Sequence, residues 1–243
     1  MTDLRLLRTL ILFWGVLFAV ALSFWAGPVR ADPTIRPVPY AQVQHDLDAV
    51  ITFETLPRRA EPGINLDAPV REGRVWFGER LNGQSIAATD TSHDHLAAEP
   101  AMPIAVMPGA SGANLSVAYH RGFGSNALFP LGPDGFPALS ARGEGAVAML
   151  FDQDQRAIGL RIHSDYAAPL GQARPQGRVT LAFYTRQGRL IARHVQKLGN
   201  TINELGFERT NGLPDIAAVT VTNDDPGGIA LDDILYQTAP AAF

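Results

Sequence analysis

The sequence contains no cysteine, which excludes disulfide bonds, thiolate metal sites and thiol catalysis. It also has a single lysine, Lys197, and no run of arginines. Because nucleic-acid binding depends on clustered lysine and arginine side chains that neutralise phosphates, this composition argues against that function. A chain without disulfides must be stabilised by burial of a hydrophobic core, with a bound metal ion as one additional means.

The N-terminal segment has the order of a secretory signal peptide. Two arginines precede the unbroken apolar stretch Leu10–Ala26, and the small residues Val29 and Ala31 fit the positions before a cleavage site. We expect residues 1–31 to be a signal peptide that is cleaved after Ala31. The alternative is an uncleaved membrane anchor, because the apolar stretch approaches the roughly 20 residues that span a bilayer.

Cleavage would make the protein more acidic. It removes three of the 20 basic and one of the 24 acidic residues, which leaves a net charge of −6. No sorting tail is expected after the last predicted strand, since Gln237–Phe243 is short and uncharged. We therefore expect a secreted or periplasmic protein without membrane attachment after cleavage, and the sequence leaves its oligomeric state open.

Short apolar runs separated by glycine and proline predict an all-β, antiparallel domain. Residues 32–49 are predicted to form an extended leader with one short helix, Tyr40–Ala49, followed by a single domain at 50–237 and a short tail at 238–243. The predicted strands are Val50–Thr55, Val75–Phe77, Ile104–Met107, Leu115–Tyr119, Ala146–Phe151, Ala157–His163, Arg178–Tyr184, Leu190–Val195, Ile216–Thr222 and Ile229–Tyr236.

Two β-hairpins are predicted in the carboxy-terminal half. Arg178–Tyr184 and Leu190–Val195 flank Gly188, where glycine can adopt the positive φ of a tight turn. Val147–Phe151 and Ile158–Ile162 flank four polar residues, and their apolar density is that of buried strands. Antiparallel pairing of sequential strands follows, which argues against a parallel α/β fold.

The segment Pro100–Arg142 is rich in glycine, proline, alanine and serine, and is predicted to be a long loop over one sandwich face. Sugar-binding surfaces stack pyranose rings on exposed aromatic side chains. Phe123, Phe129 and Phe136 on this segment, and Tyr166 on a later loop, are the predicted ligand-binding aromatics. The alternative for each is a place in the core.

Motifs at the two ends of the predicted domain carry a family resemblance. Ile51-Thr-Phe-Glu54 lies near the start and Gly227-Gly-Ile-Ala-Leu-Asp-Asp-Ile-Leu-Tyr236 near the end. A first strand with Phe-Glu and a last strand with Gly-Ile-Ala-Leu-Asp-Asp-Ile resemble secreted jelly-roll sandwiches, notably MAM domains and the bacterial domains associated with PEP-CTERM sorting tails. The broader group includes many galactose-binding-like carbohydrate-binding modules. The chain departs from both named families, since MAM domains usually carry cysteines and no sorting tail is present.

The resemblance implies a jelly-roll β-sandwich in which a structural calcium ion often joins the neighbouring first and last strands. Transferred to this chain, it points to Glu54, Asp232 and Asp233 as metal ligands. Calcium takes about 6–8 oxygen ligands, which carboxylates and carbonyls supply. Because side chains alternate along a strand, Asp232 and Asp233 should point in opposite directions unless a bulge intervenes. The alternative is that the two aspartates protect an edge strand or cap a turn.

The resemblance implies noncatalytic binding of carbohydrate or a cell-surface partner. The sequence has no nucleophile elbow and no credible phosphate-binding glycine loop. One rival hypothesis is a glycan-active hydrolase or lyase that uses Glu54 and Asp232. Another is a structural surface or matrix protein. A competing metal site is offered by His93 and His95, which follow Asp90 and could bind zinc, although the polar, loop-like sequence around them favours exposed loop histidines.

Overall fold

The structure, a computed structural model, describes residues 34–87, 93–164 and 177–239. The predicted signal peptide and Tyr166 lie outside these ranges, so cleavage after Ala31 stays a prediction. None of the helices within these ranges is both long and apolar enough to cross a membrane.

Almost all regular structure in the described ranges is extended, as the short apolar runs predict. The elements, in chain order, are β1 (Ile35–Val38), α1 (Tyr40–Asp46), β2 (Ala49–Ile51), β3 (Ile64–Leu66), β4 (Val70–Glu72), β5 (Val75–Gly78), β6 (Arg80–Leu81), β7 (Ser85–Ala87), β8 (His95–Ala97), β9 (Val106–Met107), β10 (Leu115–His120), β11 (Ser125–Pro130), a 3₁₀ turn (Leu139–Ala141), β12 (Val147–Gln155), β13 (Ala157–His163), β14 (Arg178–Tyr184), β15 (Leu190–Lys197), β16 (Ile202–Arg209), β17 (Ile216–Asn223) and β18 (Ala230–Tyr236).

Two antiparallel sheets form a β-sandwich, which confirms the predicted fold class. Sheet I has the strand order β1-β16-β13-β18-β11-β10-β3, and sheet II has the order β15-β14-β17-β12-β5-β4. From β11 to β18 the chain alternates between the sheets, apart from the β14–β15 hairpin, as expected of a jelly roll. Phe53–Phe77 and Phe183–Phe207 are edge-to-face ring pairs in the core, with centroids 5.4 Å and 5.2 Å apart.

The last strand pairs with two strands on one of its edges. Leu231 of β18 lies opposite Leu128 of β11, and Ile234–Tyr236 lie opposite Ala49–Ile51 of β2. The first predicted strand and the last are therefore neighbours, as the resemblance implied. Residues 232 and 233 fall between the two partners, so their side chains lie where this edge of the ladder is interrupted.

The structure confirms one predicted hairpin and corrects the other. Strands β14 and β15 pair from Arg178–Lys197 to Tyr184–Leu190. In contrast, β12 pairs with β5 and β17 in sheet II, whereas β13 pairs with β16 and β18 in sheet I. The connection at Arg156 crosses the sandwich. Alternating apolar residues with a short polar connection fit a hairpin and a crossover equally well.

Two further expectations need correction. The predicted leader contains a true strand, since Ile35–Val38 pairs with Gly206–Arg209 of β16, and the helix that follows is confirmed at Tyr40–Asp46. The segment predicted as one long loop contains β10 and β11, which form a six-pair antiparallel ladder. The strand predicted at Leu115–Tyr119 is confirmed as β10, whereas frequent glycine and proline nearby hid β11.

Candidate functional site

The loop that follows β2 packs against the β10–β11 hairpin through backbone and amide hydrogen bonds. The Asn126 side-chain Nδ2 donates to the carbonyls of Phe53 (3.1 Å) and Leu56 (2.9 Å). The Tyr119 amide donates to the carbonyl of Arg59 at 2.7 Å. These bonds fix the loop relative to the hairpin turn, although residues 58–60 are themselves exposed.

An open cleft of about 990 Å³ lies between this loop, the hairpin turn and the 3₁₀ turn. His120 and His163 each alternate with core residues on their strands and so face outward from sheet I. Small side chains on this face, including Ala118, Ala127 and Ala230, leave room above the sheet. The cleft is lined by Arg58, Ala60, Glu61, Tyr119, His120, Arg121, Gly122, Leu139, Arg142 and His163.

Aromatic and imidazole rings form one side of the cleft. The rings of His120 and His163 meet edge-on with centroids 4.3 Å apart, and the Phe123 ring lies 5.1 Å from His120. Gly122 makes this approach possible, because a Cβ there would lie 2.6 Å from His163 Nε2 and 2.7 Å from His120 Cε1. Any larger residue would have to displace both imidazoles.

The His120 imidazole is a neutral donor at pH 7. Burial lowers its pKa to about 4, and the positive charge that His163 can carry acts in the same direction. His120 Nδ1 accepts a hydrogen bond from the Phe123 amide at 3.2 Å, so the proton of the neutral ring is on Nε2. This ring can therefore donate a hydrogen bond without adding charge.

In the part of the chain that the structure describes, three arginines and one carboxylate line the cleft. The Arg58 guanidinium lies over the Tyr119 ring, 3.4 Å from its centroid, which is a cation–π contact. Arg142 forms an ion pair with Glu61 and lies 5.6 Å from the Phe129 ring centroid. Arg121 is exposed in the hairpin turn. The guanidinium groups provide planar arrays of hydrogen-bond donors.

The predicted ligand-binding aromatics are placed differently from one another. Phe123 is half-buried beside the cleft histidines. Phe129 is fully buried within β11, covered by His120 and Arg142, so its predicted exposure on a loop is wrong. Phe136 is half-buried and does not line the cleft. Tyr166 lies outside the described residues.

Behind the hairpin turn, two consecutive residues of β11 contact two of the predicted metal ligands. The Ser125 hydroxyl donates to Asp232 Oδ2 at 2.5 Å, and the Asn126 amide donates to Glu54 Oε1 at 2.5 Å. Glu54 is exposed whereas Asp232 is 1% exposed. The fold thus brings Glu54 and Asp232 together at the interruption in the β18 ladder. We call the residues that meet there the Asp232 cluster: Glu54, Ser125, Asn126 and Asp232.

Asp232 is held in a setting that disfavours its charge. Burial raises the pKa of Asp232 to about 7, the Asp233 and Glu54 carboxylates act in the same direction, and hydrogen bonds from Ser125 and the Asp233 amide oppose the shift. None of the largest contributions to this shift comes from a cationic side chain. A bound cation would relieve the penalty by supplying the missing positive charge.

The donor set of the Asp232 cluster fits a hard cation in part. Asn126 Oδ1 is buried and accepts no hydrogen bond in the described part of the chain, while Nδ2 of the same amide is fully used. The Glu54 and Asp232 carboxylates are oxygen ligands of the kind that calcium prefers, whereas the Asn126 side chain points to the opposite face of β11 from Ser125 and Asp232, because consecutive side chains alternate along a strand. No group of three or more histidine, cysteine, aspartate or glutamate side chains placed to hold a metal occurs within the described ranges. Carbonyls and water would have to complete the shell.

Asp233 belongs to a different environment. The β13–β18 register shifts between Gly159 and Arg161, and Asp233 has a φ of 47°, so a bulge re-aims its side chain. Its Oδ2 accepts a hydrogen bond from Arg161 Nη1 at 2.6 Å, and its carbonyl accepts one from the Tyr40 hydroxyl at 2.9 Å. The Asp233 carboxylate is therefore neutralised by arginine, which removes it from the candidate metal ligands.

The competing histidine site does not assemble in the described residues. His93 Nε2 lies 2.6 Å from Glu144 Oε2, and this hydrogen bond raises the pKa of His93. His95 lies in β8 beside a groove on sheet II. Asp90 lies outside the described residues. The two imidazoles have separate surroundings because the chain enters β8 between them.

Sequence reasoning missed the cleft itself. Its residues come from four distant segments, and only the sheet order brings them together. The one available indication was that His120 and His163 each occupy the last position of an apolar strand, where an outward side chain faces a loop region.

Comparisons with known proteins give distant partial likenesses. No protein-family model and no curated protein matches the sequence. A non-crystalline cellulose specific carbohydrate-binding module, CBM28, is similar over 51% of this chain and 82% of its own, with 16% identity and a TM-score of 0.32. The enzymatically active domain of tailspike protein 4 from bacteriophage CBA120 is similar over 51% of this chain and 17% of its own, with 16% identity and a TM-score of 0.30. Membership of the MAM or PEP-CTERM-associated families stays a prediction.

Proposed function

We propose that this protein is a noncatalytic carbohydrate-binding module that acts outside the cytoplasm and binds its ligand in the cleft on sheet I. The observation that carries the proposal is the convergence of hydrogen-bond donors on an open cleft of about 990 Å³. Ligand sites are typically concave, with a few placed polar groups around apolar surface. This cleft combines both.

The chemistry of the lining suits sugar hydroxyls. Arg58, Arg121 and Arg142 supply guanidinium donors, and the His120 Nε2–H adds a neutral one. Leu139, 59% exposed, and the Tyr119 ring supply apolar surface for the C–H face of a pyranose. A flat or purely charged surface would lack this combination.

The carboxylates support binding rather than hydrolysis. A glycosidase needs two carboxyl groups about 5–9.5 Å apart across the scissile bond. Glu61 is the carboxylate that lines the cleft in the described residues, and it is paired with Arg142. Glu54 and Asp232 do not line the cleft.

A structural calcium ion is the second part of the proposal. Glu54 and Asp232 would hold it, with carbonyl and water oxygens completing the shell, and its charge would compensate the buried Asp232 carboxylate. Glu54 begins the loop that carries Arg58, and Asn126 follows the hairpin turn that carries Arg121. An ion here would therefore rigidify both walls of the cleft without contacting the sugar.

Binding to an array of soluble polysaccharides, measured with wild type and two matched variants, tests the function. Tyr119→Ala removes the ring in the cleft, whereas Trp76→Ala removes a ring that is 40% exposed on the outer face of sheet II. We expect Tyr119→Ala to weaken binding at least tenfold and Trp76→Ala to leave it unchanged. The reverse would place the sugar on sheet II. Polysaccharide cleavage by the wild type, or no binding across the array, would contradict the proposal.

A further inference from the structure

The cleft carries the opposite charge to the protein as a whole. The chain has a formal net charge of −4, yet the described residues that line the cleft include three arginines against one glutamate. A concave surface with an excess of one sign concentrates ligands of the other sign. The charge of the cleft is therefore a local feature that its ligand has to match.

Two of the arginines have no carboxylate partner in the described ranges. Arg142 pairs with Glu61, whereas no ion pair involves Arg58 or Arg121. Arg58 is held by the Tyr119 ring beneath it, which orients the guanidinium without neutralising it. Arg121 lies in the hairpin turn and also lines the cleft, next to His120 and Gly122.

Planar guanidinium groups bind carboxylate and sulfate oxygens through paired, charge-assisted hydrogen bonds. Elsewhere on this protein, arginines are used in just this way against its own carboxylates: Arg178 with Asp224, Arg186 with Asp154, and Arg209 with Asp215. Arg58 and Arg121 differ because no such carboxylate is supplied by the described residues. An anionic group on the ligand would supply the ion-pair partner that these two arginines lack.

We propose that the cleft selects acidic glycans, whose uronate carboxylates or sulfate esters pair with Arg58 and Arg121. This inference rests on the proposed function, because it names the class of sugar that the same cleft binds. Neutral groups of the sugar would meet His120, Tyr119 and Leu139, and the anionic group would select among sugars of similar shape.

Binding to four polymers at two salt concentrations tests the inference. The acidic probes are polygalacturonate and a sulfated galactan. The neutral probes are an uncharged soluble cellulose derivative and galactomannan. We expect an acidic polymer to bind at least tenfold more tightly than the neutral ones. Raising the salt from 0.05 M to 0.5 M should weaken that binding severalfold, because the charges are exposed and screened. The two acidic probes show whether carboxylate or sulfate is preferred.

Variants separate this inference from the proposed function. Arg58→Gln and Arg121→Gln should each reduce acidic-polymer binding about tenfold, and Arg121→Lys should restore part of it. Arg193→Gln, at an exposed arginine on sheet II, is the matched control and should have no effect. Equal binding of neutral and acidic polymers would overturn the acidic selectivity but keep the carbohydrate function. Binding of an acidic peptide instead of any glycan, or no binding at all, would overturn both.

Discussion

Two adjacent residues of the last strand, Asp232 and Asp233, have opposite electrostatic surroundings. Asp232 is buried among neutral donors and has a pKa raised to about 7. Asp233 faces Arg161, which also pairs with Glu204. The bulge between β13 and β18 separates them, so adjacency in sequence says little about their roles. The negative charge of Asp233 is neutralised by an ion pair within the chain. The Asp232 carboxyl has to be neutralised by binding a proton or a cation.

The largest expected effect is on the pH dependence of stability without divalent cations. The folded pKa of Asp232, about 7, lies above its ordinary value of 3.8, so between these pH values the folded state holds a proton that the unfolded state has released. The free energy of unfolding should fall as pH rises from 4 to 7, by on the order of 4 kcal/mol from this group.

Urea unfolding in EDTA at several pH values measures this effect. Asp94, whose pKa burial raises to about 6, contributes in the same direction, so the difference between wild type and Asp232→Asn isolates the Asp232 share. Asp233→Asn is the control and should retain most of the pH dependence seen in wild type, because burial rather than the Asp233 charge is the main cause of the raised Asp232 pKa. If the free energy of unfolding depends on pH equally in wild type and in Asp232→Asn, the proposed contrast between the two aspartates is wrong.

The next effect in size is stabilisation by calcium. Calcium at a hundredfold excess over its dissociation constant should stabilise the folded protein by about 2.7 kcal/mol, and its affinity should rise with pH as Asp232 loses its proton. Thermal unfolding with EDTA and with added calcium measures the shift.

The same two aspartates provide the matched pair for calcium. Asp232→Asn should abolish the shift in melting temperature, and Asp233→Asn should preserve it. If calcium does not raise the melting temperature of the wild type, Asp232 is neutralised by protonation alone and the calcium part of the proposal fails. If both variants lose the shift, Asp233 is a ligand after all.

The smallest expected effect is the loss of the Asp233–Arg161 ion pair. The Asp233 and Arg161 side chains are 25% and 31% exposed, so Asp233→Asn should cost only about 0.5–1 kcal/mol at neutral pH. Urea unfolding at low and high salt measures this loss, which should shrink as salt screens the pair. A loss that does not shrink as the salt concentration rises would contradict the assignment of Asp233 to this partly exposed ion pair.

Apolar alternation, a local feature, predicted the sandwich, whereas the proximity of the first and last strands was implied by the resemblance that the Phe-Glu and Asp-Asp-Ile motifs carry. The sequence predicted that Asp232 and Asp233 would separate, but the bulge that re-aims Asp233 depends on pairing with β13. It did not distinguish a β12–β13 hairpin from a crossover, because both need the same alternation.

The cleft could not be predicted for a different reason. His120 and His163 meet only because small residues on sheet I and Gly122 in the hairpin turn leave room for both rings. Phe129 belongs to the same glycine- and proline-rich segment as Phe123, yet its place within β11 buries it. Packing across several strands, rather than any local pattern, decides which aromatic lies at the cleft.

The measurement that tests the central claim most directly is an NMR titration of the protein with a galacturonate oligosaccharide and, separately, a cello-oligosaccharide. We expect at least one of them to shift the backbone amide signals of Tyr119–Gly124 at the cleft and to leave those of Thr180 and Val195 on sheet II unchanged. Shifts confined to sheet II, or no shifts with either sugar, would contradict the account.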